Sequence, residues 1–202
     1  MDHFLYRDGC LHAEDVAISQ IAAEVGTPFY LYSSATLLRH FKLFDDALAG
    51  MDHLICYAMK AASNQAILTL LGAAGAGMDV VSGGEYARAR AAGIPGDRIV
   101  FSGVGKTRAE MTEVLTGGVR QFNVESEPEM RVLSEVASML GKTAPITIRV
   151  NPDVDAKTHE KITTGLSENK FGVEWTRAQE IFAKAAKMPG IKVAGIAMHI
   201  GS

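Results

Sequence analysis

The chain has 202 residues, of which 48% are hydrophobic and 21% charged, and its formal net charge is −3. That is a globular composition with room for one large domain or two small ones. It excludes a basic nucleic-acid face and a polybasic membrane patch, and its two cysteines, Cys10 and Cys56, exclude a disulfide framework and point to a reducing, cytoplasmic setting.

Residues 1–32 differ in character from the rest of the chain. Met1-Asp2-His3-Phe4 shows no charged stretch leading into an apolar core, so no signal peptide is expected. Val16 to Val25 has helical spacing and stops at Gly26-Thr27-Pro28. Phe29 to Tyr32 reads as a short strand. From Ser34 a rhythm sets in. Helices are predicted over Thr36 to Ala49, Asn64 to Ala74, Glu85 to Ala92, Thr107 to Thr116, Ser126 to about Leu140, and Trp175 to Lys187. Strands are predicted between them, at Leu54 to Lys60, Met78 to Ser82, Arg98 to Ser102, Gln121 to Glu125, Ile146 to Asn151 and Val193 to Ile200. Ser126 with Glu129 forms a capping-box signature. The longest apolar run, Ala66 to Met78, is broken by three glycines and is too short to span a bilayer.

Strand and helix alternate six times with short connections, which predicts an α/β chain with a parallel sheet. Period-two alternation divides each strand into two faces. Ile146, Ile148 and Val150 oppose Thr147, Arg149 and Asn151. Asp79 opposes Met78 and Val80, and Asn123 opposes Phe122 and Val124. In the last strand, Val193, Gly195, Ala197 and His199 oppose Ile196, Met198 and Ile200. A doubly wound sheet buries apolar residues on both faces. One apolar and one small or polar face fits a (β/α) barrel, with helices outside and a functional mouth inside. One connection is long: Pro152 to Val173 leaves the C-terminal end of a strand and reads as a lid or substrate wall.

The barrel reading brings Lys60, Asp79, Asn123, Arg149 and His199 to one mouth. A lysine at a strand tip above small residues can form a Schiff base, although a surface lysine ending a strand has the same local sequence. With an acid, an arginine and an imidazole, it supplies the parts of a pyridoxal phosphate site. Each partner also has a structural reading: a core histidine, an ion-paired arginine, an aspartate turn cap. Ser102 to Thr107 looks like a phosphate loop, but Val100 stands where a Walker loop needs glycine, so nucleotide hydrolysis is excluded. Amides at the following helix could still hold an anion. Asp153-Val154-Asp155 lacks a calcium loop's further ligands, and six scattered histidines give no zinc pattern.

The ordered set of motifs resembles diaminopimelate decarboxylase, a fold-type III (alanine-racemase-like) pyridoxal phosphate family. They are Tyr57-Ala58-Met59-Lys60-Ala61, Met78-Asp79-Val80-Val81-Ser82-Gly83-Gly84-Glu85, Phe101 to Thr107, Phe122-Asn123-Val124-Glu125-Ser126 and Arg149-Val150-Asn151-Pro152. Thr164-Gly165-Leu166, Lys170-Phe171-Gly172 and His199-Ile200-Gly201-Ser202 complete it. The resemblance implies that Lys60 carries pyridoxal 5'-phosphate, that His199 stacks on its ring and that Ser202 helps hold its phosphate. It implies that Asp79 and Arg149 lie near the cofactor. The implied reaction is decarboxylation of meso-diaminopimelate to L-lysine and carbon dioxide, in lysine biosynthesis, by a cytoplasmic homodimer. Ala62 departs from the family's asparagine.

The resemblance also implies an incomplete TIM-type barrel of about six strands at residues 33–202. Residues 1–32 would join a C-terminal β domain that this chain lacks, and the chain alone is expected to be an inactive fragment. Other basic amino acid decarboxylases (ornithine or arginine type) and a non-catalytic pyridoxal phosphate-binding protein remain as alternatives.

Overall fold

The computed structural model describes residues 3–154 and 171–200. The chain opens with a small antiparallel sheet of β1 (Phe4–Arg7), β2 (Cys10–Ala13) and β3 (Val16–Ala17), in the order β1-β2-β3. Residue spacing gives no sign of this sheet, and the expected helix begins only at α1 (Ile18–Val25). Phe29 to Tyr32 is irregular rather than a strand. A strand needs a neighbour to take up its backbone hydrogen bonds, and its propensity alone does not supply one.

The N-terminal hairpin is pinned to α2 (Ser34–Ala47) by Glu14, which sits at φ 54°. Its Oε1 accepts from Ser33 Oγ (2.7 Å), Ser34 Oγ (3.0 Å) and the Ala35 amide (2.9 Å). Ser33 caps the same helix end by accepting from the Thr36 amide at 3.0 Å. A carboxylate at a helix N-terminus meets orphan amides and the positive end of the dipole.

The strands of the main sheet are β4 (Cys56–Ala58), β5 (Gly77–Val80), β6 (Ile99–Phe101), β7 (Gln121–Val124), β8 (Ala144–Asn151) and β10 (Ile191–Ala197), ordered β10-β8-β7-β6-β5-β4. All pairings are parallel, and the order follows the chain, so that apart from the short β9 sequential strands are spatial neighbours. A short β9 (Val173–Glu174) pairs with the end of β8. Between the strands lie α3 (Gln65–Ala73), α4 (Gly83–Ala91), α5 (Arg108–Gly117), α6 (Glu127–Met139) and α7 (Ala178–Ala185). Trp175 begins a 3₁₀ turn, so α7 starts three residues later than the spacing suggests.

The core lies between the helices and one face of this sheet. Met78, Ile99, Phe101, Phe122, Ile146 and Ile148 are wholly buried there with Leu68, Met111 and Leu133 from the helices. Each such side chain contributes roughly 1.5–3 kcal/mol on burial. The intervening residues face the other side, as period two requires. The barrel expectation is therefore met as a partial barrel of six parallel strands. Ile196 and Met198, on and beyond the edge strand β10, are 56% and 62% exposed. Among the described residues no helix is long and apolar enough to cross a membrane.

Candidate active site

A cavity of about 740 Å³ lies at the C-terminal ends of the strands. Lys60, Asp79, Asn123, Arg149 and His199 all line it, so the five residues expected at the mouth converge. Ser202, which the resemblance adds for the cofactor phosphate, lies outside the described residues, as does 155–170, most of the connection read as a lid or wall. Lys60 stands two residues beyond β4 and His199 two beyond β10, so both are at strand tips rather than in the ladder. Register sets the rest: Ala58 pairs with Asp79, Asn123 with Thr147, and Ala197 with Arg149. Ala58 and Ala197 are small, which leaves the cavity its volume.

Asp79 is the acid of the site. Its Oδ1 accepts from Ser102 Oγ at 2.5 Å. Burial pushes its carboxyl above the ordinary range, while the Ser102 bond and the charges of Lys60, His199 and Lys106 pull it back. Burial pushes the His199 imidazole down, helped by the Arg149 and Lys60 charges and opposed by Asp79 and Glu125. His199 is therefore more readily neutral than a solvated histidine. Cys56, lower on the same face, has its thiol pushed up to about 11 by burial and by Asp79, which removes it as a nucleophile.

Arg149 is held by Glu125, Nη1 donating to Oε1 at 3.1 Å and to Oε2 at 2.9 Å. The Gly103 amide donates to the same Oε1 at 3.2 Å, and Phe171 places its ring 5.8 Å from the guanidinium. The ion-pair reading of Arg149 and its place in the cavity are thus both realised. The alternation of Gln121 to Glu125 puts Glu125 on the Asn123 face, but its pairing with Arg149 across two strands depends on register. Ser102, the partner of Asp79, carries no local mark of that role in the sequence.

The segment that looks like a phosphate loop is a structural lock. The Lys106 side chain is wholly buried, and its Nζ donates to Gly103 O (2.6 Å), Asn123 O (2.8 Å) and Glu129 Oε1 (2.6 Å). The anion at the start of α5 is the protein's own Glu110. Its Oε2 accepts from the Thr107 amide at 2.9 Å and its Oε1 from the Gly83 amide at 2.8 Å. Thr107 and Glu110 make a complete capping box. Ser126 caps α6, but only half of the expected box forms there, because Glu129 turns to Lys106 and to the Glu125 amide.

Pyridoxal phosphate fits what is present. The cavity has the volume of a small-ligand site. Among the described residues Lys60 has no hydrogen-bond or ion-pair partner, so its amine is open to a carbonyl. An acid and an imidazole lie close enough to Lys60 to feel its charge.

Residues 34–202 match the family model described as pyridoxal-dependent decarboxylase, pyridoxal binding domain. The diaminopimelate decarboxylase of Pseudomonas fluorescens is 53% identical, covering 100% of this chain and 49% of that protein. The solved diaminopimelate decarboxylase of Helicobacter pylori, complexed with L-lysine, is 44% identical with a TM-score of 0.87, covering 92% of this chain and 47% of that one. The enzyme of M. jannaschii in co-complex with L-lysine is 35% identical with a TM-score of 0.89, covering 98% and 48%. The chain spans about half the length of the curated relatives it matches.

Proposed function

The chain belongs to the pyridoxal-dependent decarboxylases through their pyridoxal-binding domain, and on that basis we propose that it is the cofactor-binding part of a diaminopimelate decarboxylase. The whole protein then converts meso-diaminopimelate to L-lysine and carbon dioxide. The convergence of Lys60, Asp79, Arg149 and His199 on one cavity carries this reading. When bound, pyridoxal phosphate takes up the electron pair left by the departing carboxylate.

The chain's own residues do the rest. Lys60 holds the cofactor through its amine. His199, whose imidazole burial makes more readily neutral, would stack on the ring without placing a second cation there. Asp79 supplies a negative charge beside the amine. Arg149, fixed by Glu125, offers its guanidinium as a preorganised anion partner. Ser202 helps hold the phosphate. Residues 33–202 form the cofactor barrel, and residues 1–32 belong with a β-rich domain. The exposed apolar side chains of Leu5, Tyr6 and Tyr30 support that assignment. The whole enzyme is expected to be a cytoplasmic homodimer.

Borohydride reduction after incubation with pyridoxal phosphate tests the site. The expected result is a pyridoxyl label on the Lys60 peptide, absent in Lys60→Arg. Equal label on other lysines in both proteins refutes it. The substrate is tested on the whole protein with meso-diaminopimelate, ornithine and arginine side by side. Preference for either of the last two refutes the diaminopimelate assignment, and label without any product supports a cofactor-binding protein instead.

A further inference from the structure

A line of side-chain hydrogen bonds runs from β8 through β7 and Ser102, the residue after β6, and ends on Asp79 of β5. Thr147 Oγ1, on β8, donates to Asn123 Oδ1, on β7, at 2.6 Å. Gln121 Nε2 donates to the same oxygen at 2.8 Å and to Thr147 Oγ1 at 3.3 Å. With two donors on its carbonyl, Asn123 turns its amide nitrogen the other way, and Nδ2 donates to Ser102 Oγ at 2.8 Å. An amide NH₂ cannot accept a hydrogen bond. The Ser102 hydrogen therefore cannot point back toward Asn123. It goes to Asp79 Oδ1.

We infer that Asn123, backed by Thr147 and Gln121, is a positioning residue that orients the Ser102 hydroxyl so that Asp79 is kept as an ionised acceptor. Each link fixes the direction of the next, and low local dielectric strengthens bonds arranged in series. Thr147 is 5% exposed, so water does not readily replace its bond. The end point matters because of what Asp79 faces. Lys60 comes from the tip of β4, Cys56 from β4 itself, Lys106 from the segment after β6, and His199 from beyond β10. Burial favours the neutral carboxyl, and the Ser102 bond is the largest opposing influence. Loss of the relay frees the hydroxyl to rotate, and Asp79 then takes up a proton more easily. Lys60 and His199 lose the negative charge between them. Alternation alone places Thr147, Gln121 and Asn123 on this face; that they meet one another and Ser102 is decided by register.

The inference rests on reading the cavity as a lysine-centred site, but its test needs neither cofactor nor substrate, so the two can fail separately. The Asp79 carboxyl is titrated by ¹³C NMR in the full 202-residue chain, with Asp79→Asn to assign the resonance. His199 is followed through its imidazole protons. In Asn123→Leu and Thr147→Val the Asp79 midpoint moves up and the His199 midpoint moves down. Thr147→Ser keeps the hydroxyl and leaves both where they are. If Asn123→Leu fails to fold, the Thr147 pair still decides. An unchanged Asp79 midpoint in Thr147→Val overturns the inference. So does an equal shift in Thr147→Ser, since that would mark a packing effect.

Discussion

Replacing Lys106 with methionine removes a buried ammonium while keeping most of its length. Three bonds go with it, to Gly103 O, Asn123 O and Glu129 Oε1. Glu129, with only 9% of its side chain exposed, is left as a buried charge without its partner. Breaking a buried pair from one side costs about 3–5 kcal/mol, against a total stability of about 5–15 kcal/mol for a domain. Burial already pushes the Glu129 carboxyl above the ordinary 4.5, with Lys106 the main opposing influence. Without Lys106 it rises further. A raised folded-state value means stability that is present below 4.5 and lost as pH rises through the folded value. The penalty of Lys106→Met is therefore largest at neutral pH and shrinks in mild acid. Lys106→Met/Glu129→Gln removes the stranded charge and recovers about 2 kcal/mol or more as coupling energy. Urea unfolding followed by far-UV circular dichroism measures all of these variants. A loss below about 1 kcal/mol, typical of an exposed pair, refutes the reasoning. Strictly additive single effects refute it too.

Asp79→Asn is expected to stabilise the fold at neutral pH, because burial raises the Asp79 carboxyl above its ordinary 3.8 and its ionised form is the costly one. The stability attached to this group is present below 3.8 and lost as pH rises through the folded value. The gain in thermal midpoint should therefore fade as pH drops toward 3.8, and a gain independent of pH refutes desolvation as its cause. Gly96→Ala would drive a Cβ into the carbonyl of Gly118, backbone against backbone. Neither segment can rotate away as a side chain does, so a loss of about 1–3 kcal/mol is expected in denaturant titration, and a neutral effect refutes the close approach.

Side chains alternate along a strand whatever it pairs with, so the face that each residue occupies is legible from the chain alone. Asp79, Asn123 and Arg149 thus read as one lumen set, with Lys60 and His199 at strand tips. The helix starts at Thr107 and Ser126 are equally local, since a hydroxyl reaches amides two or three residues on. The partners, by contrast, come from the fold. Glu125 meets Arg149 across 24 residues, and Lys106 meets Glu129 across 23. Those meetings turn a phosphate-loop look-alike into a buried lock and divert Glu129 from its capping box. Phe29 to Tyr32 has strand propensity but forms no ladder, and the hairpin at residues 4–13 forms where alternation is too weak to read. Local chemistry is written in adjacent residues. Pairing depends on which strand lies beside which and at what register, and this is set by burying the whole apolar face at once.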